Sequence, residues 1–119
     1  MDKRKEMPIG VDVDNTLFTY GPKCREPHEG AVKMVDSAGQ TFYITPHKLH
    51  IELVKRYYAR GFYIVVWSGN GAHWASQAVK ALGLQDYVDD TMGKFVKIID
   101  DKPITEWMPS PIWIEEGKE

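Results

Sequence analysis

Cysteine is nearly missing from this chain: Cys24 is its single example. No intramolecular disulfide can form and no cysteine-rich zinc site can be built, which suits a reducing compartment. Long hydrophobic runs are missing too. The longest, residues 63 to 67, falls far short of the ~20 apolar residues a membrane-spanning helix needs. The charged opening, residues 1 to 7, is followed by no apolar stretch of the signal-peptide kind. Nor is there a basic excess: 15 Lys and Arg against 17 Asp and Glu give a formal net charge of -2. That excludes a broad nucleic-acid surface. No internal repeat or low-complexity tract occurs. The expectation is a soluble, cytoplasmic protein with no membrane partner.

What is present fits one ordinary globular domain over residues 1 to 119, with 43% hydrophobic and 27% charged residues. Residues 8 to 13 read as a short strand ending among carboxylates. Residues 19 to 30, with two glycines and two prolines, read as a loop. Residues 31 to 36 and 41 to 45 are β-prone runs around Ser37 to Gln40, which predicts a hairpin flap turning at Gly39. Thr45 and Pro46 suit the start of a helix running to about Arg60, with Ile51, Val54 and Tyr58 as its apolar stripe. Residues 62 to 67 predict a buried strand. Residues 72 to 82 predict a second helix with Ala75, Ala78, Val79 and Leu82 inward. Residues 87 to 88 read as a very short strand and residues 95 to 99 as another buried one. The tail from 103 to 119 reads as irregular apart from a final strand at 112 to 114.

Strand, helix, strand, helix, strand in alternation implies a parallel sheet with right-handed crossovers. Ligands bind such sheets beyond the carboxyl ends of the strands. Three polar clusters fall there: Asp12 and Asp14, then Ser68, Gly69 and Asn70, then Asp100 and Asp101. Alternate residues of an ending strand share a face, so Asp12 and Asp14 can look toward one site. Two nearby carboxylates separate their protonation, leaving one as nucleophile and the other as general acid. A turn of Asp and Asn residues that only caps the next segment is the plainer alternative. Ser68 among glycines at a helix start offers an anion cradle, or simply a helix cap. Mg²⁺ takes one or two carboxylates beside waters and phosphate, which Asp12 and one of the later pair could supply. Lys94 could neutralise nucleophile and phosphate, with Lys97 and Lys102 as competitors. The aromatic residues Phe18, Tyr20, Trp67 and Trp74 flank the motifs and can stack on a base or sugar, with core packing the plainer alternative. His47 and His50 could hold a second metal, with solvated or packing histidines the plainer alternative. His73, after the Ser68 loop, is the histidine best placed to line a pocket.

Taken together, these features resemble the haloacid dehalogenase-like (HAD) phosphohydrolase superfamily. The resemblance spans residues 9 to 103. It rests on Ile9-Gly-Val-Asp12-Val-Asp14-Asn-Thr16-Leu-Phe18, on Ile64-Val-Val-Trp-Ser68-Gly-Asn70, on Lys94, and on Ile98-Ile-Asp100-Asp101. It implies a Rossmann-like three-layer α/β domain and a phosphatase acting through an aspartyl-phosphate. Asp12 would be the nucleophile and Asp14 the acid and base. Mg²⁺ would be held by Asp12, the Asp14 backbone carbonyl and Asp100, with Asp101 supporting. Ser68, Gly69, Asn70 and Lys94 would hold the phosphoryl oxygens, and Thr16 would fix the loop.

Only residues 17 to 45 separate the first motif from the first helix, room for a flap and not for a cap domain. The resemblance is therefore to a small capless type. Its substrate would be a phosphorylated small molecule or a phosphorylated macromolecular end, and an oligomer partner is one source of specificity. Two rival readings remain: phosphoryl transfer to an acceptor other than water, and a binding or regulatory module of the same shape without turnover.

Overall fold

The computed structural model describes residues 2 to 107. It is a mixed α/β structure with two small sheets. The first holds β1 (Pro8–Asp12), β5 (Tyr63–Ser68) and β6 (Asp90–Gly93), parallel and in the order β1-β5-β6. The second holds β2 (Phe18–Thr19), β3 (Val32–Val35) and β4 (Thr41–Pro46), antiparallel in the order β2-β4-β3. Helix α1 (Lys48–Ala59) joins β4 to β5, and α2 (Ala72–Ala81) joins β5 to β6. A four-residue turn of helix, α3 (Ile104–Trp107), lies in the stretch expected to be irregular. The expected strand at 112 to 114 lies outside the described residues.

Period two and period 3.6 explain how the core closes. In β5, Ile64, Val66 and Ser68 are buried while Tyr63, Val65 and Trp67 keep partial exposure. Ile64 and Val66 join Ile51 and Val54 of α1 and Trp74, Ala75, Ala78 and Val79 of α2 in one core. Phe18, Met34 and Ile44 carry the second sheet into that same core. Because Gly10 pairs with Val65 and Asp12 with Trp67, these four residues share the half-open face. A side chain at Gly10 would meet the Trp67 ring at 2.9 Å; glycine is what lets that indole lie across β1.

Several expectations change. Helix α1 starts at Lys48 with His47 as N-cap, not after a Thr45 cap, because Thr45 and Pro46 are held in β4 by pairing with Thr19 and Phe18. The Nδ1 atom of His47 accepts from the His50 N–H at 3.3 Å, an imidazole doing what Ser or Asp usually does. Residues 85 to 87 form a 3₁₀ turn instead of entering a strand at 87 to 88. The third parallel strand is β6, and residues 95 to 99 form no strand. Val96 is 96% and Ile99 102% exposed, so this apolar run is not the buried element that its composition predicts.

Candidate active site

The carboxyl ends of β1, β5 and β6 meet, and each delivers polar groups. β1 stops at Asp12, and the chain then reverses tightly, with the Thr16 and Leu17 N–H groups both donating to the Val13 carbonyl at 3.2 and 3.0 Å. Asn15 makes that reversal in the left-handed region at φ 59°, a conformation Asn tolerates better than most residues. The result returns the Thr16 hydroxyl to Asp12, where it donates to Oδ2 at 2.9 Å. Lys94 follows directly after β6 and sets its Nζ 2.9 Å from Asp12 Oδ1. Its own backbone N–H is tied to the Ser68 carbonyl at 2.9 Å. The expected lysine is therefore the one that reaches Asp12, while Lys97 and Lys102 lie exposed in the following segment.

The loop after Asp12 is held from below by the start of α1. The His47 N–H donates to the Leu17 carbonyl at 2.9 Å, and His50 Nδ1 lies 2.6 Å from the Thr16 carbonyl. A carbonyl only accepts, so His50 carries its proton on Nδ1 in this bond. The two imidazoles stack with centroids 3.4 Å apart. Neither histidine was expected to touch the motif. The signal is the helix start, whose cap lies at His47, two residues after the Thr45 cap that the sequence suggests.

Asp14 stands in a separate set of bonds. Its Oδ1 accepts from the Tyr20 hydroxyl and from Trp74 Nε1, the latter at 2.8 Å. Its Oδ2 accepts from Ser68 Oγ at 3.2 Å and from Asn70 Nδ2 at 3.0 Å. Each oxygen thus meets two donors, the full capacity of a carboxylate. Burial, with the bond to Asp14 behind it, pushes the Tyr20 phenol well above its ordinary value, so Tyr20 stays a donor through the neutral range. Asp12 and Asp14 share none of these partners.

Ser68 is fully buried, and its hydroxyl links Asp14 to the Asn70 N–H, which donates to it at 3.0 Å. Gly69 and Asn70 are exposed. Just beyond them α2 begins at an N-cap glycine, Gly71 at φ 101°, with no side-chain capping bond. The first-turn N–H groups of α2 therefore meet no capping side chain, which is what an anion site at a helix start requires. Of the expected cradle, Gly69 and Asn70 are exposed, with both Asn70 nitrogens already donating, to Ser68 and to Asp14, and Ser68 lies behind them.

Asp100 and Asp101 were expected at the end of a buried strand, and that strand is not formed. Both are exposed, and Asp100 Oδ1 accepts from the Lys102 N–H at 3.0 Å in a local turn. Among the described residues no group of three or more His, Cys, Asp or Glu side chains is assembled to hold a metal. The donor chemistry says the same: Asp12 faces an ammonium and a hydroxyl, and Asp100 is engaged in its own exposed turn. The described arrangement does not bring together the three magnesium donors that the resemblance implies.

No family model, curated protein or solved structure matches the chain. Among the described residues no helix is long and apolar enough to cross a membrane.

Proposed function

We propose that the protein hydrolyses phosphate monoesters through a covalent aspartyl-phosphate on Asp12. One observation carries the reading: a strand-end carboxylate held on one oxygen by Thr16 and charge-matched on the other by Lys94. Stability does not account for that pairing. The Lys94 and Asp12 side chains are 41% and 36% exposed, and an ion pair so open contributes only about 0.2–1 kcal/mol. A cation fixed beside a nucleophile does more for an incoming phosphate dianion, whose charge it offsets in ground and transition states.

In this reading Asp12 attacks phosphorus, the bond from phosphorus to the ester oxygen breaks, and the leaving oxygen takes a proton that Asp14 Oδ2, an acceptor only in the free protein, picks up from solvent once the substrate occupies the site. The substrate displaces the exposed Asn70 amide from Asp14 Oδ2 to reach it. Water then attacks the aspartyl-phosphate, its proton passes to Asp14, and inorganic phosphate leaves with Asp12 restored. The N–H groups at the start of α2 face the phosphoryl oxygens. The same reading makes the three parallel strands part of a Rossmann-like sheet.

Turnover of p-nitrophenyl phosphate tests the proposal. Changing Lys94→Met is expected to lower kcat/KM by about 10²-fold, with Lys94→Arg recovering part of the loss. Unchanged kinetics in Lys94→Met would remove the pairing from the mechanism.

Magnesium comes with this reading as a proposal inherited from the resemblance, and it carries a structural demand. Asp100 has to leave its exposed turn and approach Asp12, which the strand-forming run at 95 to 99 permits if it joins the sheet. Amide hydrogen exchange at Val96, Ile98 and Ile99 is then expected to be fast without Mg²⁺ and clearly slower with it. Exchange that ignores Mg²⁺ while turnover also ignores it would leave Lys94 as the counter-charge on its own. The separation of Asp100 also favours a second reading, a phosphate-binding module without turnover. Phosphate binding with no hydrolysis of any ester would select it.

A further inference from the structure

A cavity of about 290 Å³ opens beside Asp14, and its walls are the very groups that bond to that carboxylate. Tyr20, Trp74 and Asn70 all line it and all donate to Asp14. Phe42 of β4 completes an aromatic box, edge-to-face with Trp74 at 5.5 Å and with Tyr20 at 6.1 Å. The rim is polar and comes from two other elements. Asp36 and Ser37 lie in the β3–β4 turn, and His73 lies in the first turn of α2. His73 Nε2 is 3.3 Å from the Val35 carbonyl, which ties the end of β3 to the start of α2. Asp36 Oδ1 accepts from the Ala38 and Gln40 N–H groups at 3.0 and 2.8 Å, so the turn that carries the rim is itself fixed.

The position of this cavity follows the chemistry. If Asp14 protonates the leaving oxygen, the leaving group lies on Asp14's side of the phosphate, and that side is where the aromatic box opens. Its size is at the lower bound of ordinary ligand pockets, about 300 Å³, which suits one ring and not a large scaffold. Aromatic walls favour a flat π-face. A heterocycle with donors and acceptors on its edge can bond to Asp36 Oδ2, the Ser37 hydroxyl and the second His73 ring nitrogen at this rim, which a bare phenyl ring would not use.

We propose that this cavity seats a single-ring nucleobase, and that the ester cleaved at Asp12 is a pyrimidine nucleoside monophosphate. The inference rests on the phosphatase reading for the word cleaved and on the cavity alone for the base. The cavity shares Tyr20, Trp74 and Asn70 with the surroundings of Asp14, so the two readings are separated by measuring binding apart from turnover.

The test compares cytidine 5′-monophosphate with ribose 5-phosphate, which carries the same sugar and phosphate without the base. Equilibrium binding is read from tryptophan fluorescence in the Asp12→Asn variant, and kcat/KM in the parent. The nucleotide is expected to exceed the sugar phosphate by about 10- to 100-fold in both, the range that stacking on an aromatic side chain provides. Phe42→Ala is expected to erase the ratio between the two ligands. Because Phe42 also packs in the fold, Ser37→Trp at the exposed rim is the second variant, filling the mouth without touching the core. Equal binding and turnover of the two ligands, or an advantage that survives both variants, overturns the proposal. Nucleotide-selective binding with no turnover of either ligand upholds the base site and ends the phosphatase reading instead.

Discussion

Asp12→Asn is expected to lower kcat for p-nitrophenyl phosphate by about 10⁴-fold or more while the protein stays folded. The amide keeps the shape of the carboxylate and loses its nucleophilicity, so no phosphoryl-enzyme can form. It also loses one of two bonds. Its single oxygen can accept from Thr16 or face Lys94, whereas the carboxylate does both. That loss is small in stability terms because the ion pair is open to water, and it should amount to about 1 kcal/mol or less. The two consequences are read separately, by steady-state kinetics and by urea unfolding. Mass spectrometry of acid-quenched enzyme adds a third reading: a phosphate on the peptide containing Asp12 in the parent and none in the variant. Parent-level turnover in Asp12→Asn would end the proposed mechanism, whatever else the protein proved to bind.

How far the sequence carried this picture differs from element to element. The parallel pair β1 and β5 was plain, because both are short apolar runs ending in polar residues, and the register between them then sets Asp12 level with Trp67. The hairpin at 31 to 45 was equally readable from its turn residues and is present as β3 and β4. β6 was not readable. Asp90, Thr91, Met92 and Gly93 have neither alternation nor an apolar run, and only the neighbouring β5 makes them a strand. The reverse error occurred at 95 to 99, where composition alone suggested burial. Strand propensity describes how a residue fits a pleated, half-covered surface, and these residues have been given no such surface.

The site shows the same division. Side-chain identity is legible: Lys97 falls inside an apolar run and Lys102 beyond the aspartates, which leaves Lys94 as the lysine to face the crevice, and it is the one on Asp12. Partnership was less so. Tyr20 and Trp74 read as packing aromatics, yet their polar atoms both end on Asp14. A buried indole or phenol needs an acceptor, and that requirement, applied to the aromatics beside the motif, would have pointed to the nearest carboxylate. The His50 bond to the Thr16 carbonyl depended on where α1 begins, a boundary set by the tertiary pairing of Pro46 with Phe18.

Asp14→Ala should be the most destabilising single change near the site, and Asp14→Asn should separate its two roles. Alanine leaves Trp74 Nε1, the Ser68 hydroxyl and the Tyr20 hydroxyl without their acceptor. Trp74 is only 4% exposed and Ser68 is 0% exposed, so water cannot readily replace the carboxylate at either. Each buried donor left unpaired costs about 1–3 kcal/mol; two of them give about 2–6 kcal/mol, and at about 4 °C per kcal/mol for a domain of this size a fall in Tm of about 8–24 °C follows. Asparagine keeps one oxygen for the Tyr20 and Trp74 pair. It turns its amide toward Ser68, whose hydroxyl can rotate to accept, so much of the stability should return. Activity should not return with it, because an amide cannot shuttle the proton, and a loss of about 10²- to 10⁴-fold is expected in both variants. Thermal unfolding and kcat on the same preparations make the comparison. If asparagine restores stability and activity together, Asp14 is a structural acceptor alone and the proton must come from elsewhere. If alanine is as stable as the parent, water reaches those donors and the carboxylate is not what holds the aromatic wall in place.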